Sequence, residues 1–294
     1  MKYPKQFVYL QGGLGNQMFQ YAFYLAIKEK YPNAICCNSL VSPKDHNGYE
    51  LKRIFDIKCT QSILLLFVAK IFRKLIYKKQ HNIINLLNHL NVAFIIDSIP
   101  SHYMPNILTP SNKIYTFFLG YWQTEKYFSK IENKIRLAFR FNENMLSEKS
   151  KITAKEIKNS NSISIHIRRG DYLHPKYQSL YGNICTISYY HKAIQLIQQR
   201  YDKTAFFIFS DDIEWVQKNL KIDNAKYIDF NKNYDSWQDM YLMSICKHNI
   251  IANSTFSWWG AWLNSNKNKI VITPNKFLNT NDSIDLIPEG WIKI

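Results

Sequence analysis

Short apolar runs alternate with polar, helix-like stretches along this chain. In the first half, the apolar run Phe7–Leu10 leads through a glycine-rich turn into a helical pattern over 16–30. This order is typical of the start of an α/β unit. A further apolar run lies at Phe117–Tyr121, whereas residues 33–60 show no regular pattern.

The second half alternates more regularly. Predicted strands cover 163–167, 205–209, 227–229, 249–252 and 270–272, and predicted helices cover 187–200, 213–220, 236–247 and 257–264. This alternation predicts a parallel, doubly wound α/β sheet, in which ligands bind beyond the carboxyl ends of the strands. Because the composition changes near 150–160, we expect two domains, 1–155 and 156–294.

The segment 63–79 is both apolar and basic. Its pattern predicts an amphipathic helix, whose basic side chains are Lys70, Arg73, Lys74, Lys78 and Lys79. Two interpretations stay open. The segment is either a packed helix with a solvated edge or an interfacial helix resting on an anionic membrane.

The net charge of +16 suggests an anionic partner: a nucleic acid, an anionic membrane or a phosphorylated small molecule. Charge alone does not choose among these three partners. The chain is also rich in Lys, Asn and Ile, as proteins of AT-rich genomes are, so part of the charge follows from composition. No helix-turn-helix, zinc-finger or RNP-type element is visible, which argues against a nucleic-acid partner. Aromatic residues are abundant at 15%, and most of them are expected in the core.

The five cysteines are odd in number and show no CxxC or Cys/His ligand spacing. We therefore expect reduced thiols, with no disulfide and no zinc site, in a cytoplasmic protein. The N-terminus lacks the apolar region of a signal peptide, and no run of about 18 apolar residues suggests a membrane-spanning helix.

Three predicted strand ends carry polar strings. The string HIRRGDY begins at His166, in the predicted strand 163–167, and its Arg168 and Arg169 have the donor geometry that fits phosphate oxygens. The alternative is a structural pair in which one arginine bridges to Asp171. After 205–209 come Asp211 and Asp212, one of which would cap the next helix while the other accepts from a base or ribose.

The third string, NSTFSWWG, begins at Asn253 and places hydroxyl groups at a predicted helix start, which is an anion-binding arrangement. Ordinary capping is the alternative, with Trp258 and Trp259 filling the core. In the first half, the string GGLGNQMFQY starts at Gly12. Its glycines alone are weak evidence for a ligand-binding turn, and Asn16 and Gln17 at the helix start make the pattern more specific.

Together these strings resemble the bacterial α-1,2-fucosyltransferases, glycosyltransferase family 11. The resemblance covers most of the chain, from GGLGNQMFQYA through HIRRGDY and FSDDIEWV to NSTFSWWGAWL. The pattern HxRRxD is shared with α-1,6- and protein O-fucosyltransferases, whereas the first and last strings together are narrower. Residues 60–115 match no motif, which leaves acceptor choice open.

The resemblance implies an α/β, GT-B-like fold of two Rossmann-like domains that face each other across a cleft. Residues 1–155 would form the acceptor side and residues 156–294 would bind GDP-fucose. It also implies inverting transfer of L-fucose to the 2-hydroxyl of a terminal β-galactosyl sugar, without a metal or another cofactor. The acceptor would be an oligosaccharide or a lipid-linked glycan in surface-glycan synthesis, such as that of O-antigen.

The same resemblance suggests residue roles. Arg168 and Arg169 would stabilise the GDP leaving group, and Asp171 would orient an arginine. His166 with Asp211 or Asp212 would hold guanosine. The remaining predicted residues are Asn16, assigned to catalysis, and the donor-binding residues Gly13, Gln17, Asn253, Ser254, Thr255, Phe256 and Ser257. No general base is assigned, because Asp171, the nearest candidate, lies beside two arginines, which are expected to lower its pKa and make it a poor base.

Two other functions remain as alternatives. A fucosyltransferase of another linkage, such as α-1,6, would share the arginine string. A basic, non-catalytic protein that binds nucleic acid or a membrane surface would account for the charge but not for the polar strand ends. The expected location is cytoplasmic, with peripheral contact on the inner membrane face left open.

Overall fold

The computed structural model describes residues 4–44, 46–77, 87, 89–97, 101–109, 113–280 and 285–294. The chain forms two compact units. The first comprises Met1–Arg140 with Ile284–Leu286, and the second comprises Phe141–Ser283 with Ile287–Ile294. The composition shift near 150–160 therefore lies inside the second unit.

The first unit contains a parallel sheet of four strands in the order β2-β1-β4-β3. The strands are β1 Lys5–Tyr9, β2 Ile35–Cys37, β3 Val92–Ile96 and β4 Tyr115–Leu119. The helices described here are α1 Leu14–Lys30, α2 Glu50–Phe55, α3 Ile63–Tyr77 and α4 Glu132–Ala138. The stretch 33–60, expected to be irregular, holds β2 and α2, which are too short to show a period.

Aromatic rings build the core between α3 and this sheet. Phe72 of α3 stacks on Phe94 at 3.8 Å between ring centroids, and Phe94 stacks on Phe117 at 5.0 Å. Phe117 in turn stacks on Phe7 of β1 at 4.8 Å. Helix α3 therefore packs on the sheet through one face. Whether its other face is solvated or rests on a membrane stays open. Lys78 and Lys79 lie outside the described residues.

The expectation of unpaired cysteines is wrong at one place. Cys36 and Cys59 form a disulfide. The cause is a backbone pairing that the sequence does not reveal. Thr60 bridges to Cys37 of β2, and the Thr60 amide donates to the Cys36 carbonyl, so Cys59 is held beside this strand. Cys37, Cys185 and Cys246 are free.

The second unit contains a parallel sheet of six strands in the order β10-β9-β8-β5-β6-β7. The strands are β5 Asn161–Ile167, β6 Thr204–Ser210, β7 Ala225–Ile228, β8 His248–Ile250, β9 Val271–Thr273 and β10 Ile292–Lys293. The helices are α5 Glu148–Lys158, α6 Pro175–Tyr181, α7 Ile187–Gln198, α8 Ile213–Asn219, α9 Trp237–Ile245 and α10 Thr255–Leu263. Strands β5 to β9 and helices α7 to α10 agree with the sequence prediction within a few residues.

The strand order places a topological switch at the centre of each sheet. In the second unit the chain runs outward from β5 through β6 to β7, then returns to the other side of β5 at β8. In the first unit the corresponding neighbours are β1 and β4. Ligands of such sheets bind beyond the strand ends at these points. No helix in the described part of the chain is long and apolar enough to cross a membrane.

Candidate functional site

The arginine string lies directly after β5, at the switch point of the second unit. Arg168 is held by two carboxylates. Its Nε donates to Asp171 Oδ1 at 2.9 Å, and its Nη1 lies 3.1 Å from Asp211 Oδ2. Burial opposes its charge, but Asp211 and Asp171 raise the pKa of the Arg168 guanidinium. Arg168 is thus a paired, charged anchor, and Asp171 orients it.

Arg169 is held differently. Its Nε donates to Asp212 Oδ2 at 3.1 Å, and its guanidinium lies over the Trp215 ring at 3.5 Å from the centroid. This cation–π contact fixes the plane of the guanidinium. No described residue accepts a hydrogen bond from its terminal nitrogens. Arg169 therefore keeps donors for a ligand, whereas Arg168 is bonded through all three of its nitrogens.

The two aspartates after β6 organise the arginine loop. Asp211 Oδ1 accepts from the Arg169 amide at 2.9 Å, so this side chain holds both arginines. Asp212 Oδ1 accepts from the Trp215 amide at 3.2 Å and caps α8, as expected of one of the pair. Gly170 makes room for them, since a Cβ there would lie 2.6 Å from Asp211 Oδ2. Contact of either aspartate with guanosine stays a prediction.

The string after β8 is mostly occupied by internal bonds. The Asn253 amide nitrogen donates to the carbonyls of Tyr181 and Phe277, each at 3.1 Å, and its carbonyl accepts from Tyr172 at 2.9 Å. Ser254 caps α10. Of the other residues in this string, three are fully buried (Ser257, Trp258 and Trp259) and two are half-buried (Thr255 and Phe256).

His166 is the buried member of the predicted site. Burial, followed by the nearby Arg168, lowers the pKa of His166 to about 4, so the imidazole is neutral. Its ring lies 5.9 Å from that of Phe256, and its buried Nδ1 has no partner among the described residues. This unsatisfied nitrogen at the end of β5 is the chemical feature that fits a ligand contact.

In the first unit, the glycine string follows β1. Gln17 is fully buried, and its amide donates to the carbonyls of Gly12 and Gly48, each at 2.8 Å. Its oxygen accepts from the Glu50 amide at 3.1 Å. The structure thus gives Gln17 a task in holding the loop, and its contact with the donor stays a prediction. Gly13 is the N-cap of α1, and a Cβ there would lie 3.3 Å from the His46 ring.

Asn16, by contrast, retains free donor capacity. Its Oδ1 accepts from Gln123 Nε2 at 2.9 Å, and no described residue accepts from its Nδ2. The side chain is half-buried at the switch point beside β1. In the described part of the chain, no group of three His, Cys, Asp or Glu side chains is arranged to hold a metal ion. That transfer proceeds without a metal stays a prediction.

Comparison with known proteins decides the family. The sequence profile of glycosyl transferase family 11 matches residues 3–294. The chain belongs to glycosyl transferase family 11. This confirms the resemblance read from the four strings, and it makes the protein a glycosyltransferase. Two Escherichia coli relatives of this family-11 chain are an O-antigen biosynthesis glycosyltransferase, WbnK, and an alpha-1,2-colitosyltransferase.

Both relatives are 32% identical to this family-11 chain, and each alignment covers 97% of it. The alignments cover 99% of the first relative and 97% of the second. Among solved structures, the fucosyltransferase NodZ from Bradyrhizobium is similar, with a TM-score of 0.54 and 11% identity. That match covers 88% of this chain and 92% of NodZ. The α/β, GT-B-like fold with two Rossmann-like units is confirmed.

Sequence reasoning missed several residues at these strand ends. Trp215 lay inside a quoted string, but its contact with Arg169 depends on the turn of α8. Gln123 and Asp97 follow β4 and β3, in a region without a recognised motif. A carboxylate placed directly after the apolar run Val92–Ile96 was the available signal for Asp97.

Proposed function

We propose that this family-11 enzyme transfers a 6-deoxyhexose from its GDP derivative, with inversion, to the 2-hydroxyl of a terminal β-galactosyl sugar. L-Fucose is the first candidate. The observation that carries the proposal is Arg169, whose guanidinium is held in place by Asp212 and Trp215, while its terminal nitrogens have no partner among the described residues. Such a group is ready to bind the diphosphate of a nucleotide sugar.

The chemistry requires stabilisation of the leaving group. As the bond from C1 to the phosphate oxygen breaks, negative charge grows on the β-phosphate of GDP. A positioned guanidinium stabilises that charge in the transition state more than in the ground state. Arg168 would act indirectly, because its nitrogens already bind Asp171 and Asp211. By holding the loop after β5, Arg168 would keep the neighbouring Arg169 in position for the ligand.

Two donors compete within this proposal. The relative named as a colitosyltransferase makes GDP-colitose a second candidate. Colitose lacks the 3-hydroxyl of fucose, so the two donors differ by one polar group. A site that hydrogen-bonds this hydroxyl rejects the deoxy sugar by a factor that reaches about 10⁴, whereas a site without such a bond accepts both.

The test is transfer from each donor to a panel of β-galactosides, with linkage analysis of the product. We expect an α-1,2 product and a preference for GDP-fucose. Arg169→Lys serves as the matched variant, since it keeps the charge but loses the planar fork of donors. An α-1,6 product would establish the alternative linkage. No transfer and no GDP binding by the folded protein would contradict the proposal.

The acceptor is proposed to belong to a surface glycan, either free or lipid-linked. The support is the O-antigen biosynthesis relative, which aligns over nearly its whole length. A lipid-linked acceptor would bring the enzyme to the inner face of a membrane. We therefore propose peripheral contact with an anionic bilayer, while no nucleic-acid partner is proposed.

Helix α3 provides the face for that contact. Opposite its buried Ala69 and Phe72, it exposes an apolar strip in which Ile63 and Leu64 are 75% and 72% exposed. The strip continues with Phe67 and Ile71 and carries Lys70 and Lys74 on the same side. Between Asp56 and Asp97 the sequence has no acidic residue. Apolar insertion together with basic headgroup contacts is the pattern of an interfacial helix.

Binding to vesicles separates this proposal from a plain packed helix. We expect binding to vesicles with anionic lipid and weaker binding to zwitterionic ones, because each lysine near an anionic surface contributes about 1 kcal/mol. Phe67→Asp should abolish binding. Leu137→Asp, at a position on α4 that is 71% exposed against 58% for Phe67, is the matched control and should leave binding unchanged. Equal binding by both variants, or none by the wild type, would reject membrane contact.

A further inference from the structure

A disulfide fastens one loop of the first unit to its sheet. Cys36 lies in β2, which pairs in parallel with β1, and Cys59 follows 23 residues later along the chain. Residues 46–59, here named the tethered loop, contain α2 and end at Cys59. The bond therefore ties the end of the tethered loop to the strand beside β1.

Gln17 links the tethered loop to the glycine turn, residues 12–17, which leads from β1 into α1. Its Nε2 donates to the Gly48 carbonyl at 2.8 Å, and its Oε1 accepts from the Glu50 amide at 3.1 Å. The same Nε2 donates to the Gly12 carbonyl at 2.8 Å. Loop and turn are thus joined through one fully buried side chain, so the order of the turn depends on the position of the loop.

Beside the disulfide, two backbone hydrogen bonds hold the end of the tethered loop near β2. The Thr60 amide donates to the Cys36 carbonyl at 2.8 Å, and the Asn38 amide donates to the Thr60 carbonyl at 3.1 Å. Helix α2 packs through the buried Leu51 and Ile54 but has six residues, too few for a helix that is stable by itself. We therefore expect the covalent bond to supply much of the order of this loop, and its loss to loosen the loop without unfolding the unit.

The disulfide is accessible to a thiol and separate from the neighbouring Cys37. Cys59 is half-buried, whereas Cys36 is buried in β2. Side chains alternate along a strand, so Cys37 points to the opposite face, where it belongs to the same core cluster as Phe72 and Phe117. Burial raises the pKa of the Cys37 thiol to about 12, and a protonated thiol does not attack a disulfide. The pair therefore has two states, disulfide and dithiol.

We propose that the Cys36–Cys59 bond is a redox switch, whose cleavage by a thiol loosens the tethered loop, disorders the glycine turn and lowers transfer activity. The effect on transfer rests on the proposed transferase function, because the turn carries predicted site residues. A thiolate of the reductant attacks the Cys59 sulfur, and the Cys36 sulfur leaves as a thiolate. A second thiolate then attacks the reductant's sulfur and releases Cys59. Two electrons pass to the cysteines, both take up protons, and the reductant leaves as its disulfide.

Hydrogen exchange tests the switch without relying on turnover. Wild-type protein is compared with and without dithiothreitol, and alkylation followed by mass spectrometry reports the state of Cys36 and Cys59. We expect amide exchange in residues 12–17 and 46–50 to become at least about tenfold faster on reduction. The unfolding temperature should fall by about 10 °C. Residues 166–172, the arginine loop of the second unit, are the internal control, and their exchange should stay unchanged.

The double variant Cys36→Ser, Cys59→Ser is the matched control for the reductant. It should exchange like the reduced wild type and should not respond to dithiothreitol, which excludes an effect through Cys37, Cys185 or Cys246. If the variant does not fold, the two states of the wild type still decide. Equal exchange in the oxidised and the reduced wild type would overturn the inference, as would the same response to dithiothreitol in the double variant.

Transfer activity gives the last readout. We expect reduction to lower kcat/KM in the wild type and to leave the double variant unchanged. Unchanged kcat/KM in a reduced wild type whose turn exchanges faster would reject the switch. Free Cys36 and Cys59 thiols after incubation with oxidised glutathione would also reject it. Exchange that depends on the disulfide, in a protein that transfers from neither donor, would leave the tether standing and reject the transferase proposal instead.

Discussion

Gly170→Ala is a small change that should disturb the whole arginine loop. A Cβ at this position would lie 2.6 Å from Asp211 Oδ2 and 3.3 Å from Asp211 Cγ. The carboxylate has little freedom to yield, because it accepts from Arg168 Nη1 at 3.1 Å and from the Arg169 amide at 2.9 Å. Either these bonds break or the backbone of the loop moves.

The size of the effect follows from those two bonds. Hydrogen bonds to charged groups contribute about 1.5–3 kcal/mol each, and the lower end applies to side chains with partial exposure. The Asp211 side chain is 25% exposed, so we expect an unfolding free energy lower by about 3 kcal/mol if both bonds are lost. Because a shift of about 1 Å in a positioned group can cost about 10² in rate, kcat/KM should fall by a similar factor.

A double-mutant cycle with Asp211→Ala tests whether the effect runs through this carboxylate. The assay is kcat/KM for transfer from the nucleotide sugar, with thermal unfolding for stability. In the Asp211→Ala background the added methyl group finds room, so Gly170→Ala should cost less than about 0.5 kcal/mol more. Fully additive losses in the two variants would refute the reasoning, since Gly170 would then act by a route that does not involve Asp211.

Three other outcomes follow from the same geometry. Arg169→Lys should lose mainly kcat, by about 10²–10³, while Arg168→Lys should lose stability or GDP affinity; near-normal kcat in both would contradict a guanidinium clamp. Transfer activity should survive excess EDTA. Loss of activity in EDTA that Mg²⁺ restores would contradict metal-independent transfer. Gln17→Leu removes three hydrogen bonds, two of them buried, and should lower the unfolding free energy by about 3 kcal/mol, measured by denaturant titration. An effect on donor KM alone would contradict this structural role and favour the predicted contact with the donor.

Pattern alone predicted most of the second unit. The strand β6, TAFFIFS, is a nearly continuous apolar run, as expected for a strand buried on both faces, and β5, β6, β7 and β8 are each followed by a helix. The same logic failed at β2, because three residues cannot show a period, and at β3, where no recognisable string marked the strand end. The disulfide was missed because Cys36 and Cys59 are 23 residues apart and meet only through strand pairing.

The candidate site shows a similar division. The residue types in the arginine string indicated a diphosphate site, and Asp212 capped its helix as expected. Which arginine keeps free donors was not readable, since Arg169 and Asp211 are 42 residues apart in sequence and meet only in the folded sheet. Gln17 and Asn16 differ for the same reason: neighbours along α1 point into different surroundings, one filled and one open.

The position of Asp285 has a consequence for biosynthesis. This carboxylate belongs to the first unit, where it accepts from the Tyr103 amide at 2.8 Å and pairs with Lys126 and His102. The ribosome makes it more than 140 residues after Arg140, the last residue of that unit's main segment. A nascent first unit must therefore wait with these partners unsatisfied while the second unit is translated. A fragment that stops at Arg140 would lack Asp285, so its partners in the first unit would stay unsatisfied permanently. The contribution of each unit to activity is therefore better measured with point substitutions than with truncated chains.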